Sequence, residues 1–134
     1  MIERLVFGSA IALAMASAAA DSPSVLMARY AQQAWVAPTF FSPSRGEALY
    51  RSEHTGRDGK PVSCASCHTA DPRQAGQTRV GKRIEPLAPA ANPQRFTDAA
   101  KAEKWFRRNC QDVLGRACTP QEKGDFIAWL SQIK

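Results

Sequence analysis

Five consecutive residues, Cys64-Ala65-Ser66-Cys67-His68, are the part of this chain best equipped for chemistry. Two thiols at this spacing reach the two vinyl groups on one edge of a haem and form thioethers. The residue that follows, His68, is then delivered to the iron as an axial ligand. The CxxCH pattern therefore predicts one covalent haem c held by Cys64, Cys67 and His68. Other uses of a CxxC pair fit poorly. A redox pair of the thioredoxin kind follows a strand, whereas here the turn-rich Gly56-Arg57-Asp58-Gly59-Lys60-Pro61 precedes it. A structural zinc site needs a second ligand pair, and Cys110 and Cys118 stand eight apart with no histidine nearby.

An iron held on one face by histidine needs an account of its other face. Electron carriers of this kind commonly use a methionine downstream of the motif. The three methionines, Met1, Met15 and Met27, all lie upstream. A His/Met carrier is disfavoured, which leaves an open site or an unusual sixth ligand. His54, the only other histidine, would make a bis-histidine electron carrier. It ends the helix leading into the motif, so reaching the opposite face is awkward; a lysine or a water is a further alternative. Asn109 lies one turn beyond Trp105 and Phe106, so its amide points toward the interior those rings define. Cys110 and Cys118 are free to pair once the motif cysteines hold haem, closing a ring worth roughly 2–3 kcal/mol and limiting the drift of Asn109.

The chain has 134 residues and a formal charge of +6. Its apolar opening, Leu5 to Ala16 after Glu3-Arg4, is too short for a membrane span. Ending in Ala18-Ala19-Ala20, it predicts a cleaved signal peptide over 1–20 and a single domain over 21–134, with no transmembrane span in the mature protein. Haem c and a cysteine pair both agree with a periplasmic location. Two propionates would lower the charge to about +4, which suits an acidic partner. Nucleic acid is excluded by the export signal and the lack of a basic run.

The elements that must position these groups are helices. Ser22-Pro23 caps an extra N-terminal helix within 21–35, with Leu26, Met27, Tyr30 and Ala31 on its packed face. The link Trp35 to Pro43 is broken by proline, and its aromatic rings suit an apolar surface such as a haem edge. Ser44 is the expected cap of a second helix carrying Gly46, Leu49 and Tyr50. Thr69 to Arg95 reads mainly as loop, with Thr78, Arg79, Lys82 and Arg83 as candidate propionate contacts. Thr97 is the expected cap of a third helix, with Ala102, Trp105, Phe106 and Asn109 inward and Gly115 as its stop. Thr119-Pro120-Gln121-Glu122 is a capping box for the last helix, whose stripe is Phe126, Trp129, Leu130 and Ile133. The whole reads as an all-α, single-domain class I cytochrome c-like fold around one haem.

Several segments together resemble the sphaeroides haem protein (SHP) family: the CxxCH run, Ala75-Gly76-Gln77-Thr78-Arg79, Arg95-Phe96-Thr97-Asp98, Arg108-Asn109-Cys110 and Cys118-Thr119-Pro120. The resemblance covers nearly all of residues 21–134. It implies a monohaem cytochrome in which Asn109 is the sixth ligand of oxidised iron and leaves on reduction. The Cys110–Cys118 disulfide is part of the same pattern. The opened iron would bind oxygen, nitric oxide, carbon monoxide or similar small ligands, after an electron arrives from a partner, in that family a dihaem cytochrome c. Whether such a protein turns over as an oxygen reductase or only binds its ligand is left open by the residues.

Overall fold

The computed structural model describes residues 20–134; the expected export segment lies outside them except for Ala20. Three helices form the scaffold: α1 (Pro23–Ala34), α2 (Pro43–Arg51) and α5 (Pro120–Gln132). Both α1 and α2 pack against α5, which lies at the centre of the core. Leu26, Tyr30 and Ala31 of α1 meet Phe41 and Ile127 in one apolar cluster. Tyr50 of α2 meets Leu87, Phe126, Trp129 and Leu130 in a second.

The closest approach in this scaffold is backbone to backbone. A Cβ on Gly46 would stand 2.1 Å from the carbonyl oxygen of Asp125, so only glycine lets α2 lie this near α5. Asp125 is 2% exposed and fully engaged. Its carboxylate accepts from Arg45 Nε at 2.8 Å, from an Arg45 terminal nitrogen at 2.9 Å and from the backbone N–H of Ser42 at 2.7 Å. A carboxylate taken out of water is tolerable only when its oxygens are satisfied in this way.

Helix starts follow local chemistry. Ser22 accepts from Val25 N and Pro23 occupies the first helical position, as expected. Thr119 and Glu122 form the expected reciprocal capping box, and Arg116 hydrogen-bonds both oxygens of Glu122. Two expected caps move by a residue or two. Ser42, not Ser44, caps α2, because Pro43 supplies its first position. Asp98, not Thr97, caps the long helix α4 (Ala99–Leu114), while the Thr97 hydroxyl donates to the Gln94 carbonyl. Asp21 supports the same end, accepting from Ala99 N at 2.9 Å. Gly115 ends α4 in the left-handed region, as its position predicts.

Apart from single helical turns at Pro38–Phe40 and Ala65–His68, the remaining chain is loop, as read for Thr69 to Arg95, with two short antiparallel hairpins: β1 (His54–Thr55) with β2 (Pro61–Val62), and β3 (Gly76–Gln77) with β4 (Arg83–Ile84). In the Trp35–Pro43 link, Phe41 is buried in the core, whereas Trp35 is 94% exposed and covers nothing. Trp105 also departs from expectation. It lies at the edge of α4 and is 40% exposed, because the arc that faces α1 and α5 is centred on Phe106, Cys110 and Val113.

Candidate haem site

The CxxCH run forms a single helical turn, α3 (Ala65–His68), in which the Cys64 carbonyl accepts from Cys67 N at 3.3 Å and His68 N at 3.0 Å. Ser66 Oγ accepts from Ser63 N at 2.9 Å and fixes the start of the turn. Its far end is held by the Tyr50 hydroxyl, which donates to the Thr69 carbonyl at 2.6 Å. β3 presses on the other side: a Cβ on Gly76 would lie 1.9 Å from the Cys67 carbonyl oxygen. The turn is thus clamped between α2 and a hairpin.

Within the clamp, Cys64 and Cys67 are both free thiols, half-buried and not joined to each other. Burial pushes the Cys64 thiol up to about 11. Burial, with the Arg95 guanidinium as a second cause, pushes His68 down to about 4. At neutral pH the imidazole is uncharged, the form that offers a lone pair to a metal. Cys64 and Ala65 pack against the cluster containing Leu87 and Trp129, so one flank of the turn is apolar.

A cleft of about 740 Å³ opens beside the turn between the two hairpins, and Cys67, Thr78, Arg79 and Arg83 all line it. Lys82 is outside its wall, as are His68 and Asn109. Of the candidate propionate contacts, Arg83 holds Glu85 at 2.8 Å and Thr78 Oγ1 accepts from Lys82 N at 3.0 Å. Arg79 holds no carboxylate among the described residues.

Asn109 is half-buried on α4, next to Cys110. Cys110 and Cys118 are joined as a disulfide with a Cα–Cα distance of 5.6 Å, which staples the end of α4 to the start of α5. The Asn109 amide makes no hydrogen bond among the described residues. Since no buried side-chain polar atom there lacks a partner, the amide retains access to open space. His54 differs from its sequence reading. It is half-buried on β1 rather than at the end of α2, its Nε2 lies 2.9 Å from Ser52 Oγ, and β1 packs against α4. The strand therefore stands beside the helix that carries Asn109.

A family described as a domain of unknown function (DUF1924) matches residues 22–130. The cytochrome c-type protein SHP of Cereibacter sphaeroides is 49% identical over 96% of this chain and 97% of its own. The chain belongs to this family of c-type cytochromes. A solved structure of oxidised SHP, described as an oxygen-binding cytochrome c, superposes with a TM-score of 0.75 at 50% identity, covering 83% of this chain and 96% of the other. The solution structure of cytochrome c'' from Methylophilus methylotrophus, described for what it shows of haem-ligand detachment, gives 0.70 at 38% identity, over 83% and 93% of the two chains.

Like other c-type cytochromes, this chain carries one covalent haem c, and its fold is the all-α cytochrome fold. The residues present fit that group. Two unpaired thiols share one helical turn with a neutral, half-buried imidazole, and the turn is seated on apolar packing. Sequence reasoning assigned no role to Arg95, whose side chain donates to the carbonyls of Pro86 at 2.7 Å and of Glu85 while its charge acts on His68. In a loop rich in proline it reads as solvated surface, and only its half-burial marks it out. The Tyr50 anchor of Thr69 was missed for a similar reason, since a tyrosine on a helix stripe signals packing and not the bond its hydroxyl makes.

Proposed function

We propose that this chain is a periplasmic monohaem cytochrome whose iron becomes accessible to small ligands on reduction. Haem c, once attached, supplies a one-electron couple and an iron with one exchangeable coordination position. The Sγ atoms of Cys64 and Cys67 would hold the group by thioethers, and the His68 imidazole would supply a nitrogen to its iron. Asn109 would offer its amide oxygen to the oxidised iron, a hard donor suited to ferric rather than ferrous iron. With the iron reduced, so hard a donor would give way to oxygen, nitric oxide or carbon monoxide. Because the disulfide at Cys110 staples the end of α4, the amide N–H would be kept on that helix, available to donate to such a ligand. Thr78, Arg79 and Arg83, with Lys82 at the turn, are the proposed propionate contacts, and residues 1–20 the cleaved export signal. The electron donor would be a partner cytochrome, of the dihaem c type in the resembling family.

The observation that carries this reading is the half-buried, unengaged Asn109 beside the disulfide on α4, in a chain similar to an oxygen-binding cytochrome. A permanently closed electron carrier is the second reading, favoured by the packing of β1, and hence His54, against α4. Optical spectra of ferric and dithionite-reduced protein, with and without carbon monoxide, separate the two. Release of Asn109 predicts a six-coordinate ferric form and a reduced form that takes up carbon monoxide at once. Asn109→Ala should convert the ferric form to high spin. A reduced, low-spin protein that ignores carbon monoxide would point to His54 instead, and Asn109→Ala would then leave the spectra unchanged.

A further inference from the structure

The outer face of α4 is rich in cations and carries one partly exposed tryptophan. Lys101, Lys104, Trp105 and Arg108 recur at helical steps and are exposed. Trp105 is held between two cations, with Lys104 Nζ 5.7 Å and Arg108 Cζ 5.2 Å from its ring centroid. Beside it, Arg57 from the β1–β2 turn and Arg107 and Arg108 from α4 converge on a cleft of about 350 Å³ whose one acidic lining residue is Asp112.

Charge pairing is uneven over the surface. Arg29, Arg45, Arg51, Arg73, Arg83 and Arg116 each hold a carboxylate. Among the described residues, Arg57, Lys101, Lys104, Arg107 and Arg108 hold none; Lys60 and Arg79, which line the cleft beside the CxxCH turn, hold none either. A charged helix face is ordinarily just solvated surface. Here the cations are unneutralised, gathered from two elements and centred on a half-exposed tryptophan, a side chain that often anchors interfaces together with arginine. Trp105 also stands one turn before Asn109, so this face borders the group assigned to the iron.

We propose that this face, α4 from Lys101 to Arg108 together with Arg57, docks an acidic electron-donor protein, with Trp105 as the apolar anchor. The inference rests on the reading of the chain as an electron-accepting cytochrome and names the surface by which the electron arrives. One electron passes from the docked donor, which is oxidised, to the ferric iron, which is reduced; no proton or group moves. Opposite charge steers the encounter and fixes its orientation.

The test uses flavodoxin hydroquinone, a strongly acidic one-electron donor, mixed with ferric holoprotein in stopped flow. Charge reversal in the triple variant Lys104→Glu, Arg107→Glu, Arg108→Glu should slow reduction at low salt by about tenfold or more, with the difference vanishing at high salt. Reduction by dithionite and carbon monoxide uptake should be unchanged. As a second measurement, oxidised flavodoxin titrated into labelled wild-type protein should shift the backbone amides of residues 101–112 and the Trp105 indole N–H, and Trp105→Ala should weaken that binding. An unchanged flavodoxin rate in a folded triple variant overturns the docking surface, as do amide shifts that fall elsewhere or nowhere. If the wild type is instead reduced by flavodoxin with the expected dependence yet takes up no carbon monoxide, the ligand-binding function fails and the docking surface stands.

Discussion

Helices α4 and α5 are neighbours of similar length, each begun by a side-chain cap, yet they are used in opposite ways. In α5 the buried residues run from Gly124 to Leu130 with one interruption, and both core clusters draw on it. In α4 only Cys110 and Val113 are buried, and the outer side is a row of cations. Packing holds α5. α4 packs by a narrower arc centred on Phe106 and is held besides by attachments: the disulfide at its end, Asp21 at its start, and Glu103, which accepts from Lys123 at 2.8 Å and from the Tyr30 hydroxyl. A helix held this way keeps its outer surface free for a partner, and its polar Asn109 is not consumed by the core.

The sharpest way to break this comparison is to attack the packing. Gly46→Ala drives a methyl into the Asp125 carbonyl and should cost about 3 kcal/mol or more, with α1, α2 and α5 melting together in a thermal unfolding experiment. Removing the staple should act on the other helix. Cys110→Ser with Cys118→Ser should cost about 2–3 kcal/mol. Hydrogen exchange should then rise along the last turns of α4 while the centre of α5 stays protected.

A smaller effect sharpens the contrast by pH. Hydrogen bonding from Arg116 holds the Glu122 carboxyl below its ordinary value of 4.5. A carboxyl depressed in the folded state adds stability that is present above that value and is lost as the pH falls through its folded value. Glu122→Gln should therefore lower stability by about 1 kcal/mol at neutral pH, and the difference from wild type should shrink on acidification below the ordinary range. Urea titrations at two pH values measure it. The smallest effect belongs to the outer face of α4: Trp105→Ala should change stability by no more than about 0.5 kcal/mol, because the ring covers no core. A larger loss in calorimetry would return Trp105 to the inward face.

Much of this was legible in one dimension. The CxxCH spacing names its own cofactor, because two thioethers and an axial ligand require those three residue types in that order. The capping box at Thr119, the Ser22-Pro23 start and the Gly115 stop were equally readable, since caps are local hydrogen-bond chemistry. The shift of two caps to Ser42 and Asp98 shows the limit: neighbouring residues all able to cap compete, and a proline or a tertiary contact chooses among them.

What only the tertiary structure decided are relations between residues far apart in the chain. That Trp105 turns outward follows from Phe106 being the ring that meets Tyr30 of α1 and Phe126 of α5, not from helical period. That His54 stands on a strand beside α4, that Arg95 reaches back toward His68, and that Arg57 joins the arginines of α4 around one cleft all follow from how the loops fold over the scaffold. Sequence by itself determined the cofactor, the helices and their ends, because bonding along the chain sets them. Three-dimensional packing determined which side chains face one another across the chain, and so which cations were left without a partner.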